Sequence, residues 1–567
     1  MPVEQIADNH RQEKVGEKID DAVIRCVHEN RLSFVLRCLC RRIRLPIFYL
    51  QVAIKINGNA KENFFIFIKI DRKRDARRRI FSLYNMIFAP CFVPAAHSES
   101  TVLRGAGRHL SGGGDVMAVT DKGFGAYDVR GVYPDEVNEE LAYRVGRSFP
   151  TLFGAKKVAV GHDIRLSGPA IRDALAKGLT EAGCDVVDLG QCGTEMIYFA
   201  TAHLGLGGGI MITASHNPKQ YNGMKFVRAE SRPISSDTGL KDIAAMAVGE
   251  TYPAPAATPG KIEQVDILDE YVKHIVSYVD VSKLKPYKIV VNTGNGAARP
   301  IINAMEQLLP FDLVKVFNEP DGNFPNGVPN PILQENREAT AKVVRESGAD
   351  FGVAWDGDFD RCFLFDEKGG FIEGYYMVGF LSEAFLKKNK GASIIYDPRL
   401  IWNTIEIAES LGGKPVMCKS GHAFIKDKMR EVNAIYGGEM SAHHYFRDFS
   451  YCDSGQIPWL LVAELMSASG GKTLSELMQA RIDKFPTSGE INSKVADAKA
   501  VMDRIEAKYG KAGKVTKVDG LSIEFAKWRF NLRMSNTEPV IRLNVETRAD
   551  HALLKEKTDE LLKEIRG

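Results

Sequence analysis

Four stretches of the chain hold side chains whose types and spacing could do chemistry. In the first, Met211-Ile-Thr-Ala-Ser215-His216-Asn-Pro218-Lys-Gln-Tyr-Asn-Gly223, an apolar strand over 209–212 runs into small and polar residues. Pro218 keeps a helix from following at once, so Ser215 is expected on an exposed turn. The bland alternative is an ordinary Asx-type turn. A hydrolase serine fits poorly. There is no G-x-S-x-G elbow, and His216, as the next residue, is not expected to face Ser215 as a base. The glycines of 205–209 precede a strand rather than open a helix, which removes a dinucleotide loop.

The second stretch, Val353-Ala-Trp-Asp356-Gly-Asp358-Phe-Asp360-Arg361, sets three carboxylates at alternate positions, where an extended segment projects them to one side. Carboxylates so close repel one another unless a divalent cation sits among them, and oxygen-only ligands select a hard ion. An EF-hand would have Glu367 at loop position twelve, but position six is Arg361 instead of Gly, and the flanks read as strands. Three oxygens beside an arginine leave room for a phosphate, which suits Mg2+. The third stretch, Gly438-Glu439-Met-Ser441-Ala-His443, offers acceptors and donors to vicinal hydroxyls. The fourth, Arg533-Met-Ser535-Asn536-Thr537-Glu-Pro539, joins a cation to three small polar side chains, the composition of an oxyanion loop. Singly, the third and fourth look like solvated turns. Together, the four fit phosphoryl transfer on a sugar phosphate.

Such groups must be carried by a scaffold, and the chain repeats one. An apolar strand, a polar turn and a helical stretch begin at Val158, at Ile289 and again at Ile394. Strands alternating with helices predict three related α/β domains with mixed or parallel sheets. A Pro/Ala-rich run over 252–258 reads as a solvated connection. Beyond about residue 483 the pattern changes to a helix over 495–510, short strands near 522–525 and 540–545, and an amphipathic helix over 549–565. The boundaries read from the chain are 117–265, 266–371 and 372–482 for the three α/β domains, and 483–567 for a smaller α+β domain.

Residues 1–116 stand apart. They hold 20 Lys/Arg against 12 Asp/Glu, a net of +8, which leaves −5 for the rest of a chain at +3. No sustained helical or strand period is legible there. Clustered arginines such as Arg77, Arg78 and Arg79 would suit a nucleic-acid or membrane-surface arm. The reading preferred is a misassigned start, because Gly112-Gly-Gly-Asp-Val runs into Met117 as a translated ribosome-binding site would. N-terminal sequencing of the native protein decides between them. The nine cysteines form no CxxC pair, and no apolar run approaches the roughly 18 residues that span a bilayer, so a reducing, cytoplasmic setting is expected.

In this order the four motifs resemble those of the alpha-D-phosphohexomutase superfamily, over roughly residues 120–567. The resemblance implies a four-domain enzyme, three mixed-sheet α/β domains and a TATA-binding-protein-like α+β domain around a central cleft. It implies Ser215 as the phosphorylated serine and fourth metal ligand beside Asp356, Asp358 and Asp360, with Arg361 stabilising the transferring charge. Ala126-Tyr127-Asp-Val-Arg130-Gly matches the opening motif and places Tyr127 and Arg130 at the site. Lys225 matches the position proposed as general base, and His216, His422 and His443 match further active-site positions. Glu439 and Ser441 would read sugar hydroxyls, while Arg533, Ser535, Asn536, Thr537 and Arg542 hold the non-reacting phosphate. Glu-Met-Ser in the third motif looks like the phosphomannomutase and phosphomannomutase/phosphoglucomutase group.

From this follows an expected interconversion of mannose 6-phosphate and mannose 1-phosphate, with Mg2+, a hexose 1,6-bisphosphate as intermediate and activator, and a role in GDP-mannose supply. A monomer or weak homo-oligomer without nucleic-acid or membrane partners is expected. The alternatives are a dual-specificity mutase, a phosphatase using Ser215, and a non-catalytic sugar-phosphate binder.

Overall fold

The computed structural model describes residues 119–534 and 540–567, together with two strands nearer the N-terminus. Those strands, Gln51–Lys55 and Phe65–Lys69, pair antiparallel inside a unit that spans Met1–Ser111. Apolar residues run through both segments, and each strand is only five residues long, too short to give the sustained period that the sequence lacks. The described residues of the second unit, Gly112–Gly567, form four further sheets.

Three of these sheets share one plan. In the first, the strand Lys157–His162 lies between parallel neighbours Asp185–Gln191 and Gly208–Ile212, and Tyr221–Arg228 then adds antiparallel to Gly208–Ile212. The second repeats this with Lys288–Asn292 between Asp312–Val316 and Phe351–Trp355, followed by antiparallel Cys362–Phe365. The third does so with Ser393–Tyr396 between Lys414–Met417 and Tyr436–Gly438, followed by antiparallel His444–Phe446. The inner strands are largely apolar because helices cover both faces of the sheets; Gly208–Ile212 and Phe351–Trp355 are wholly buried. The strand starts read from the sequence thus fall at the same place in each sheet.

The turn that ends the leading strand is also repeated. Asp163 accepts from Arg165 N at 2.9 Å, Asn292 from Gly294 N at 3.2 Å, and Asp397 from Arg399 N at 2.9 Å. Each is a short polar side chain capping its own backbone two residues on. The fourth sheet is antiparallel throughout, in the order Ile491–Lys494, Val540–Thr547, Trp528–Met534, Leu521–Glu524, Lys514–Thr516. Helices Ala498–Tyr509 and His551–Arg566 bury Val501, Ile505, Leu561 and Ile565 against one of its faces. The Pro/Ala-rich run at 252–258 is mostly exposed coil, as its composition predicts. No helix among the described residues is long and apolar enough to cross a membrane.

The sheets are tied to one another by buried polar links. Arg529 and Glu546, on adjacent strands of the fourth sheet, pair at 2.8 Å with 1% and 0% side-chain exposure. Glu546 also accepts from Ile401 N, and Arg529 donates to the carbonyls of Pro398 and Arg399, all in the third domain.

Candidate active site

Ser215 follows the strand Gly208–Ile212 and adopts φ +48°, a left-handed conformation. Arg165, itself about 1% exposed, holds the loop by donating to the carbonyls of Ser215 at 2.8 Å and Asn217 at 2.7 Å and also to those of Pro218 and Tyr221. The serine is on a turn, as expected, but it is only 3% exposed rather than open to solvent. The reason is that a loop from the second sheet covers it. Ser215 Oγ donates to Asp356 Oδ2 at 2.8 Å, and Arg361 Nη2 lies 3.1 Å from the same hydroxyl. His216 Nδ1 also sits 3.1 Å from Oγ, against the expectation that adjacent side chains could not meet; the left-handed turn brings them round.

Asp356, Asp358 and Asp360 do converge, each offering one oxygen within 4.8 Å of the others. They do so from a tight turn between Phe351–Trp355 and Cys362–Phe365, with Phe359 at φ +46°, and not from the extended segment that alternation suggested. Asp358 Oδ1 and Asp360 Oδ1 are buried without a hydrogen-bond partner. A buried set of carboxylate oxygens fits a hard divalent cation, and so the residues present suit the metal that the motif implies. Glu367, the EF-hand candidate, instead accepts from Ser475 N at 3.1 Å, away from the triad. A further grouping, Asp360, His443 and Asp453, has Asp453 already paired with Lys426 at 2.6 Å.

Lys225 Nζ donates to Asp358 Oδ2 and Asp360 Oδ2, both at 2.6 Å. Burial pushes its ammonium down, but the charges of Asp358, Asp360 and Asp356 more than offset this and raise it. The neutral-leaning lysine expected of a base is therefore not met with the carboxylates in this arrangement. Burial pushes Asp358 up, yet Lys225 overrides it and holds the carboxyl low; burial and the Asp358 charge push Asp360 up. His443 Nε2 is 3.6 Å from Asp360 Oδ1, and burial and the Arg361 charge hold the imidazole neutral. Arg130 donates to Asn217 Oδ1 at 2.8 Å and pairs with Asp128 at 2.7 Å, so it borders the serine loop.

The third domain supplies the facing wall. Cys362 N donates to Ala442 O at 3.1 Å, which fixes the Glu439–His443 loop beside the carboxylate turn. Glu439 accepts from Gly421 N at 3.0 Å and Tyr445 OH at 2.6 Å, and Ser441 Oγ lies 3.3 Å from His443 Nδ1. His422 starts the helix His422–Val432, stacks edge-on against Tyr127 with ring centroids 4.6 Å apart, and has both ring nitrogens buried without partners. In the fourth domain, Arg533 and Arg542 face each other across neighbouring strands. Ser535, Asn536 and Thr537 lie outside the described residues.

Some residues of the site carry no sequence signal of their own. Thr194, at the start of the helix Thr194–His203, donates to Asp358 Oδ2 at 2.6 Å from 164 positions away. Gly357 lets the carboxylate turn approach the serine: a Cβ there would lie 2.5 Å from Ser215 O. Arg165 and Arg399 each belong to a repeated Asp-x-Arg turn that the sequence prints, but what each holds does not show there: Arg165 binds carbonyls of the serine loop, and Arg399 lies 3.5 Å from Glu439.

A buried serine hydroxyl between a carboxylate cluster suited to a cation and an arginine is an arrangement that can hold and transfer a phosphoryl group. Family models described as phosphoglucomutase/phosphomannomutase alpha/beta/alpha domains I, II and III match residues 121–252, 269–370 and 373–485, and the C-terminal domain model matches 490–564. The chain belongs to this family of hexose phosphate mutases. It is 58% identical, over 78% of this chain and 99% of the relative, to a protein described as phosphohexose mutases in Xanthomonas campestris pv. campestris strain B100. It is 56% identical to a phosphomannomutase of Escherichia coli K12, over 77% of this chain and 98% of that one. A crystal structure of a phosphoglucomutase/phosphomannomutase family protein from Burkholderia thailandensis superposes with a TM-score of 0.71 at 33% identity, covering 78% of this chain and 98% of the other.

Proposed function

We propose that the protein is a phosphomannomutase that interconverts mannose 6-phosphate and mannose 1-phosphate through phospho-Ser215. The observation that carries the reading is Ser215 Oγ within 2.8 Å of Asp356 and 3.1 Å of Arg361, at the edge of three clustered carboxylates. Several relatives at 53–56% identity are described as phosphomannomutases, which favours mannose over other hexoses.

In the scheme, the phosphoryl group leaves Ser215 Oγ for the free hydroxyl of the hexose phosphate, giving a 1,6-bisphosphate. The hydroxyl proton passes to His443, whose imidazole is held neutral beside Asp360, or to Lys225 once its ion pairs with Asp358 and Asp360 are released, and from there to Ser215 Oγ as the phosphoryl group leaves it. The other phosphate then returns to Ser215 Oγ with the reverse proton movement. Arg361 stabilises the charge that develops on the transferring group. Mg2+ held by Asp356, Asp358, Asp360 and an oxygen on Ser215 would neutralise charge at the same place. His216 and Arg130 keep the serine loop in place, and Tyr127 and His422 close the site from the other side. Glu439 and Ser441 bind sugar hydroxyls. Arg533, Arg542 and the 535–537 loop bind the phosphate that does not react.

The domain limits proposed are those read from the chain, with the first 116 residues outside the catalytic body. A cytoplasmic, monomeric or weakly self-associating enzyme, activated by hexose 1,6-bisphosphate, completes the reading.

The deciding assay compares mannose 1-phosphate and glucose 1-phosphate with Mg2+ and a trace of hexose 1,6-bisphosphate, with Ser215→Ala as control. A strong mannose preference that is lost in the variant is expected. Comparable rates would make the enzyme dual-specificity, and full activity of S215A would refute the phosphoserine.

A further inference from the structure

The connection into the fourth domain carries a carboxylate that the scheme above does not use. Glu490 follows Gly489, at φ +64°, and directly precedes the strand Ile491–Lys494. Three arginines surround it. Glu490 Oε2 lies 3.6 Å from Arg533 Nη2 and 3.7 Å from Arg399 Nη1, and Oε1 lies 3.7 Å from Arg542 Nη1. All three separations exceed a hydrogen bond. Glu490 Oε2, Arg533 Nε and Arg542 Nε are buried without hydrogen-bond partners. Glu490 is thus held to the three arginines by charge alone, with its Oε2 and the Nε donors of Arg533 and Arg542 unspent.

The local charges nearly cancel before any substrate arrives. Arg399 has Asp397 at 2.8 Å and Glu439 at 3.5 Å. Arg533 and Arg542 have Glu490, and Arg533 also has Asp519 at 3.2 Å. A phosphate monoester brings a charge of about −1.5 to −2 and three strong acceptor oxygens. It can make the short, charge-assisted bonds to arginine that Glu490 does not make. It must do so beside a carboxylate of like charge, which costs affinity.

We propose that Glu490 is an internal anion that competes with the sugar phosphate for Arg533 and Arg542, a positioning residue that weakens this subsite. The inference rests on reading Arg533 and Arg542 as phosphate ligands. A mutase needs such weakness: its bisphosphate must present either end to Ser215, so neither phosphate can be held too tightly. Glu490 lowers affinity without adding a contact to the sugar.

The test measures the inhibition constant of inorganic phosphate, with KM and kcat for the hexose 1-phosphate, in the full chain and in Glu490→Gln, Glu490→Ala, Glu490→Asp and Arg533→Gln. Removing the charge in E490Q and E490A is expected to tighten phosphate about tenfold and to lower KM and kcat together, because release slows. E490D keeps the charge and is expected to stay within about twofold of wild type. R533Q is expected to weaken phosphate. If R533Q weakens it while E490Q and E490A leave it unchanged or weaker, the internal anion is refuted and the subsite stands. If R533Q has no effect, the subsite reading fails and the inference falls with it.

Discussion

Ser215 sits at φ +48°, where a side chain with a Cβ costs about 1–3 kcal/mol. The strain is offset by Arg165, which takes up four carbonyls of the serine loop. This separates conformation from chemistry. Ser215→Gly and Ser215→Ala should both lose turnover, but the glycine variant should be about 1 kcal/mol more stable than the alanine variant, read as a higher midpoint in denaturant unfolding. The three aspartates were legible in the sequence because residue type and spacing imply a cation site, whereas Ser215 was legible from its own stretch only as a turn residue, its role coming from the resemblance. That the serine is buried was not, because its cover, Asp356, lies 141 positions away. Lys225 was legible as a position but not as a charge state, which is set by Asp358 and Asp360 from another sheet.

At the scale of elements, the leading strands were readable from apolar runs ended by polar turns, and the structure places all three at the same point of a repeated sheet. The carboxylate turn was misjudged as extended because alternation looks the same in a strand and in a tight turn with one residue at positive φ. Its consequence is a close approach of two loops, with room for nothing larger than hydrogen at Gly357. Gly357→Ala must push the carboxylates away from the Ser215 carbonyl. An error on the order of 1 Å between reacting groups can cost about 10²-fold, so kcat should fall by about that factor. Unfolding at the wild-type temperature would show that the loss is positional.

At the scale of the molecule, the order of the four motifs let the sequence predict one contribution per domain. The links between domains were not predictable, since they join ordinary residues far apart in the chain. The buried Arg529–Glu546 pair is the clearest: it belongs to the fourth sheet yet is completed by backbone groups of the third domain. Glu546→Gln leaves the Arg529 charge buried without its partner, and a loss of about 3–5 kcal/mol is expected in denaturant unfolding. A loss much below 1 kcal/mol would mean that water reaches the arginine.

Phe359, between two of the carboxylates, lays its ring on Gly193, where a Cβ would fall 2.1 Å from a ring carbon. The two positions belong to the first and second domains, and neither is free to change by itself. A bulkier residue at 193 has to be inherited with a smaller one at 359. Recombination between distant relatives that joins one parent's first domain to another's second therefore has to keep this pair matched, as well as the approach of Gly357 to Ser215, for the carboxylate turn to hold its place.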